Sequence, residues 1–129
     1  MWELSWPLIF GLASTGIIMA LASSLIGMRQ RVEMPSWWVL YAGWVAIVLL
    51  SGNDAPFRTI LIASAIAGVL HATTQSVLLD QYIKNNPWYA KQMSKPRASL
   101  RLQFIISGLL IGTVFGAIVA GIAWAIHRL

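Results

Sequence analysis

Residues 57–83 read FRTILIASAIAGVLHATTQSVLLDQYI, with charge only near the two ends, at Arg58 and Asp80. A helix needs about 20 apolar residues to cross a hydrocarbon core of about 30 Å, and this stretch has more than enough. In lipid it must be helical, because unpaired backbone groups cost several kcal/mol there. At about 100° per residue, Ala63, Ser64, Ala67, Gly68, His71, Ala72, Thr74 and Gln75 share one small and polar face. Ile62, Ile66, Val69, Leu70 and Val77 cover the other. The pattern predicts a span that turns its small face to protein and its aliphatic face to lipid.

Working outward, Asp54-Ala55-Pro56 reads as a helix start with a capping carboxylate, and Asn85-Asn86-Pro87 as its end. Three more apolar runs flank it, at about 6–27, 37–50 and 102–126. Ser5 before Trp6-Pro7, and Ser36 after Pro35, read as caps of the first two, and Gly52-Asn53 ends the second. The expected fold is an all-α integral membrane protein, a single bundle of four transmembrane helices over residues 1–129. Composition agrees, since 58% of the chain is apolar and 10% charged, against about 25% charged in soluble domains. A soluble chain this short could not bury so much apolar surface.

There is no cysteine, which excludes disulfides, thiolate metal sites and thiol catalysis. The start Met1-Trp2-Glu3 lacks the basic segment of a secretory signal. Despite the small residues of Ala20-Leu21-Ala22, the first run is therefore expected to be a permanent span.

Of nine Lys and Arg, seven fall in two loops on one side of the predicted bundle. These are Arg29 and Arg31 in the first loop, and Lys84, Lys91, Lys95, Arg97 and Arg101 in the third. The positive-inside rule then puts both termini on the non-cytoplasmic side. A multi-pass protein of a prokaryotic plasma (inner) membrane is expected. In a soluble protein the net charge of +5 would suggest nucleic acid. With the basic residues between apolar runs, the expected partner is anionic lipid headgroups and not nucleic acid. Pro87-Trp88-Tyr89 and the basic residues after it suggest a short surface helix in the headgroup zone. Trp2, Trp6 and Trp124 fall at one rim and Trp37, Trp38 and Trp88 at the other, leaving Trp44 inside a span.

Gly108, Gly112 and Gly116, continued by Ala120, recur every fourth residue in the last span, with Val119 read as lying off that stripe. Gly16, Ala20 and Ser24 do the same in the first. With Gly68, these are candidate positions for close helix packing, either within the bundle or between copies.

His71 is the candidate intramembrane polar site, with Gln75 one turn away and Thr74 beside it. An ionisable group inside a span is costly and marks function by default, and imidazole titrates near neutral pH. The bland alternative is a neutral histidine serving as packing glue. Asp80 is read as the deepest acid, paired with Lys84 at i+4 near the rim, and too far around the helix to meet His71.

Ala67-x-x-x-His71 resembles the chlorophyll-ligating helices of bacterial light-harvesting polypeptides, in which a small residue makes room for a macrocycle above the imidazole. The resemblance covers five residues and implies His71 as the axial ligand of a tetrapyrrole pigment. Otherwise no cofactor is expected. No paired carboxylates, metal-spaced cluster, nucleophile elbow or phosphate loop is found, so an enzyme is not expected.

The reading ranked first is a non-enzymatic scaffold or accessory subunit of a membrane complex, or a homo-oligomer, held by small-residue packing. The second is a small homo-oligomeric channel or transporter with the His71/Gln75 stripe along its path. Pigment binding at His71 is the third.

Overall fold

The computed structural model describes residues 3–129. Among them 81% are helical, with no strands, and four helical segments are long and apolar enough to cross a membrane. The helices are α1 (Trp6–Ala13), α2 (Thr15–Leu25), α3 (Gln30–Leu50), α4 (Pro56–Val77), α5 (Leu79–Asn85) and α6 (Arg97–His127). Trp2 lies outside the described residues.

Hydroxyl side chains stand at the places where two spans are broken. Ser14 donates to the Gly11 carbonyl at 2.6 Å, and Thr15 to the Leu12 carbonyl at 2.8 Å. Such back-bonding competes with the helical ladder, and the first span is two helices meeting at Ser14. The stretch read as one span over 57–83 is likewise divided at Leu78, just after Thr74 and Ser76 donate to the Leu70 and Ala72 carbonyls.

The second span begins seven residues earlier than the predicted 37–50. Fourteen helical residues reach about 21 Å, well short of a bilayer core, whereas α3 has 21 residues. Ser36 is therefore not a cap. It lies inside α3 and donates to the Val32 carbonyl at 2.8 Å. Pro35 sits one turn into the same helix and deprives the Arg31 carbonyl of its helical donor. At the start of α4, Asn53 replaces the predicted Asp54. Its Oδ1 accepts from the Ala55 N–H at 2.9 Å and from the Thr59 hydroxyl at 3.1 Å, while Asp54 is exposed.

α4 is the central helix, packed against α1, α2, α3 and α6. Its aliphatic face is consequently not left to lipid: Ile62, Ile66 and Leu70 are half-buried against the core, and Val77 alone of that set is largely exposed. The closest approach is to α6. A Cβ added to Gly112 would lie 2.6 Å from the Ser64 carbonyl oxygen, and one on Gly116 2.5 Å from the Ser64 Cβ. Gly68 and Gly108 face each other so closely that a Cβ on either would overlap the other's carbonyl, and Gly16 meets Ala67 the same way. Val119 is part of this face rather than off it, being 3% exposed and three residues from Gly116.

The large core side chains, Ile9, Leu12, Trp44, Val48 and Ile60, gather toward the end of the bundle that carries the termini. At the opposite, basic-loop end, asparagines hold α2. Asn86 donates to the Ser23 and Tyr82 carbonyls at 2.8 and 2.7 Å and accepts from the Met28 N–H at 3.0 Å, while Asn85 donates to the Ser24 carbonyl at 2.8 Å. Gly27 makes the turn between α2 and α3 with φ +87, crowded against the Asn85 carbonyl. After Asn86 there is a single 3-10 turn, Pro87–Tyr89, instead of a surface helix, and Arg29 stacks over Trp88 at 5.0 Å. Asp80 pairs with Arg97 at 3.3 Å rather than with Lys84, and both partners are exposed, so the pair is weak.

Gly112→Leu should destabilise the bundle by about 1–3 kcal/mol, because backbone is the nearest neighbour and cannot move aside. Val114→Leu, two residues on and exposed, should stay within about 0.5 kcal/mol. Unfolding of the purified variants in detergent checks the difference.

Candidate functional site

His71 lies on α4 one turn before Gln75, and three contacts fix its ring. Nδ1 is 3.2 Å from the Gly16 carbonyl oxygen, which can only accept, so Nδ1 carries a proton. Nε2 is 3.6 Å from Glu33 Oε1. Trp37 meets the ring edge-on, 5.3 Å between centroids. The Gly16 contact exists because a glycine there lets α2 approach Ala67, which brings its carbonyl within reach of the imidazole.

Glu33 is the residue that sequence reasoning missed. A second span that starts at Trp37 leaves it in a loop. In α3 it stands one turn in, one turn before Trp37, with 19% of its side chain exposed against 79% for Asp80. Asp80 is therefore not the deepest acid. The shortness of the 37–50 run was the available signal, since extending it to full length draws Glu33 inside. The pairing also moves His71 from the middle of a span toward its basic-loop end.

Glu33 and His71 stand on the wall of a crevice of about 410 Å³ between α3 and the α4–α6 pair. Trp37, Trp38 and Tyr41 line it from α3, and Phe104, Ser107, Ile111 and Phe115 from α6. Gly68, Gly108 and Gly112 form its floor, and Tyr82 and Tyr89 stand at the basic-loop end. It extends from Gln30 to Tyr41 along α3, about 16 Å at 1.5 Å per residue. Beyond Tyr41 the way is closed. Tyr41 donates to Ser64 at 2.7 Å, Ser64 donates to the Gly112 carbonyl at 2.7 Å, and buried Trp44 packs edge-on against Tyr41.

The other predicted site residues divide. Gln75 lines the crevice, but its amide donates to Ser23 at 2.9 Å instead of orienting the imidazole. Thr74 is turned back onto its own helix. Ala20 is fully buried, its carbonyl accepting from Ser23. Gly116 lies beyond the crevice against Ser64. Lys84, Lys91 and Lys95 are exposed at the basic-loop end, where Arg97 holds Asp80 and Arg101 donates to the Ser76 carbonyl at 3.2 Å.

A tetrapyrrole at His71 does not fit this arrangement. Both ring nitrogens already face partners, and Ala67, 1% exposed, is covered by Gly16 where the macrocycle would have to lie. Among the described residues no group of three or more His, Cys, Asp or Glu could hold a metal ion. What the crevice offers is an apolar surface rich in aromatic rings with one acid–histidine pair, the composition of a small-molecule site. No family model, curated protein or solved structure matches the chain.

Nitrogen-15 NMR of the protein labelled at histidine should find Nδ1 of His71 protonated whether or not Nε2 is. A neutral ring protonated only at Nε2 would contradict the contact with Gly16.

Proposed function

We propose that the protein is a membrane carrier that binds small, largely apolar molecules in the crevice between α3 and the α4–α6 pair. The observation that supports this is the asymmetry of the bundle along its axis. Toward the termini the helices meet in a close-packed core, while toward the basic loops they part around a cavity of ligand size. A cavity sealed toward one end of the bundle is what one state of an alternating-access cycle requires. In this reading the basic loops face the cytoplasm and both termini face away, following the positive-inside rule. Lys84, Lys91 and Lys95 then stand among the lipid headgroups with the two arginines of α6.

α3 is the element best suited to move. Of the four spans it is the least buried, with 17% of its apolar window inside the bundle. Pro35 weakens its ladder beside the crevice. Motion of α3 against the rigid α4–α6 pair would open the seal at Tyr41 and Ser64.

The scaffold or accessory subunit is the second reading. It is favoured by the outer face of α6, where Leu102, Ile106, Leu110, Val114 and Ile118 are at least half exposed and could carry another helix of a homo-oligomer or larger complex.

The absence of cysteine allows both readings to be tested by labelling. Ser107→Cys, in the crevice, should react with an impermeant thiol reagent from the cytoplasmic face, and more slowly from the opposite face as the protein cycles. Ser94→Cys, in the third loop, should react from the cytoplasmic face alone. Ser107→Cys reacting from one face only would mean a static pocket and would return the scaffold to first place. Ser94→Cys reacting from outside would reverse the orientation.

A further inference from the structure

We propose that the crevice takes an organic cation with an apolar body, and that the cation displaces a proton held between Glu33 and His71. The inference rests on the crevice being a binding site, and it is carried by the groups that face it.

The charge of the cavity is limited to two values. The carboxyl and imidazole groups there are Glu33 from α3 and His71 from α4. Tyrosines face them from α3 (Tyr41), from α5 (Tyr82) and from the 3-10 turn (Tyr89), and a phenol ordinarily stays neutral at physiological pH. α6 contributes Phe104, Ser107, Ile111 and Phe115, none of which titrates there, and α2 contributes only the Gly16 carbonyl. The basic residues nearby point elsewhere: Arg29 lies on Trp88, Arg97 on Asp80 and Arg101 on the Ser76 carbonyl.

With one proton on the pair, either as carboxylic acid and imidazole or as carboxylate and imidazolium, the site is neutral. With that proton gone it carries one negative charge. A net positive state would put an imidazolium beside a protonated acid with no counter-anion in a partly buried site, the costliest arrangement of the three. The crevice therefore alternates between neutral and anionic, and it repels anions.

The aromatic lining favours the same ligand. Trp37, Trp38 and Tyr41 stand within one helical stretch of Glu33, with Phe104 and Phe115 opposite. Ring faces attract cations, more strongly where water is excluded, and they receive apolar groups of any shape. A cation seated against Glu33 stabilises the carboxylate, and the proton of the pair leaves to water at the open end, near Gln30 and Tyr89. Charge balances, with one cation in and one proton out. Loading is thereby linked to proton release, so a proton gradient could drive the cation through the cycle.

Three probes of similar size and opposite character test this on the full chain in lipid nanodiscs: tetraphenylphosphonium, tetraphenylborate and neutral triphenylmethanol. Wild-type protein should bind the phosphonium, release about one proton per cation, and bind it up to about tenfold more tightly per pH unit while the pair is protonated. Glu33→Gln should weaken phosphonium binding at least about tenfold and abolish its pH dependence, while triphenylmethanol still binds. Tetraphenylborate should not bind.

If triphenylmethanol binds but the phosphonium binds no better, or if Glu33→Gln leaves phosphonium binding and its pH dependence intact, the cation inference is overturned and the binding site survives. If none of the probes binds the wild type, or if Ser107→Trp, which fills the crevice, changes nothing, the binding reading itself fails.

Discussion

Backbone-to-backbone contact between α4 and α6 sets the geometry of the remaining helices. Gly68, Gly108 and Gly112 let the two helices approach until carbonyl and Cα groups are the nearest neighbours. In a bilayer, where apolar side chains gain little by leaving lipid for protein, such close contact is a main source of helix association. It has a geometric consequence for α3, whose inward residues include Trp37, Tyr41 and Trp44. Toward the termini Trp44 is filled around by Ile9, Ile60 and Val119. Toward the basic loops Gly68, Ala72, Gly108 and Gly112 leave the middle of the α4–α6 surface without large side chains, and the crevice lies between them and the α3 aromatics. The crevice is the remainder left by a tight helix pair and a third helix with large side chains.

A second glycine contact, between α2 and α4, explains how an acid and a histidine come to face each other in an apolar setting. Gly16 brings α2 against α4 and supplies the carbonyl that orients the imidazole, leaving Nε2 directed toward α3. Glu33 then has two polar partners within reach, the His71 imidazole and the Trp37 side chain, on a wall that is otherwise largely apolar. Pairing makes both groups tolerable there, since an isolated charge in such surroundings would be neutralised instead. The polar contacts beyond the pair, from Tyr41 through Ser64 to the Gly112 carbonyl, are closed hydrogen bonds that tie the three helices together at the point where the crevice ends.

The helical architecture was legible because it depends on what a bilayer demands of any chain: length, apolar content and breakers. The four apolar runs and the break at Asn85-Asn86-Pro87 follow from these. Boundaries were less legible. Pro35 reads as punctuation, yet a proline one turn into a helix costs a single hydrogen bond, and α3 continues through it. His71 was legible as an ionisable residue inside a span. Its partner was not, because Glu33 is far away in sequence and its depth depended on the start of α3. The asparagines at the basic-loop end read only as a chain break, since their acceptors on α2 lie about sixty residues away. The local resemblance around Ala67 pointed to open space, whereas that alanine is where another backbone packs.

The site is built on Glu33 and His71 being direct neighbours, and a double-mutant cycle on stability tests that most directly. Unfolding free energies of wild type, Glu33→Gln, His71→Gln and the double variant would be measured in one detergent at one pH. Residues in contact should give a coupling energy of about 0.5–3 kcal/mol, with the double variant less destabilised than the sum of the single ones. Additivity within about 0.3 kcal/mol would place the two residues apart, and would contradict both the pair and the site built around it.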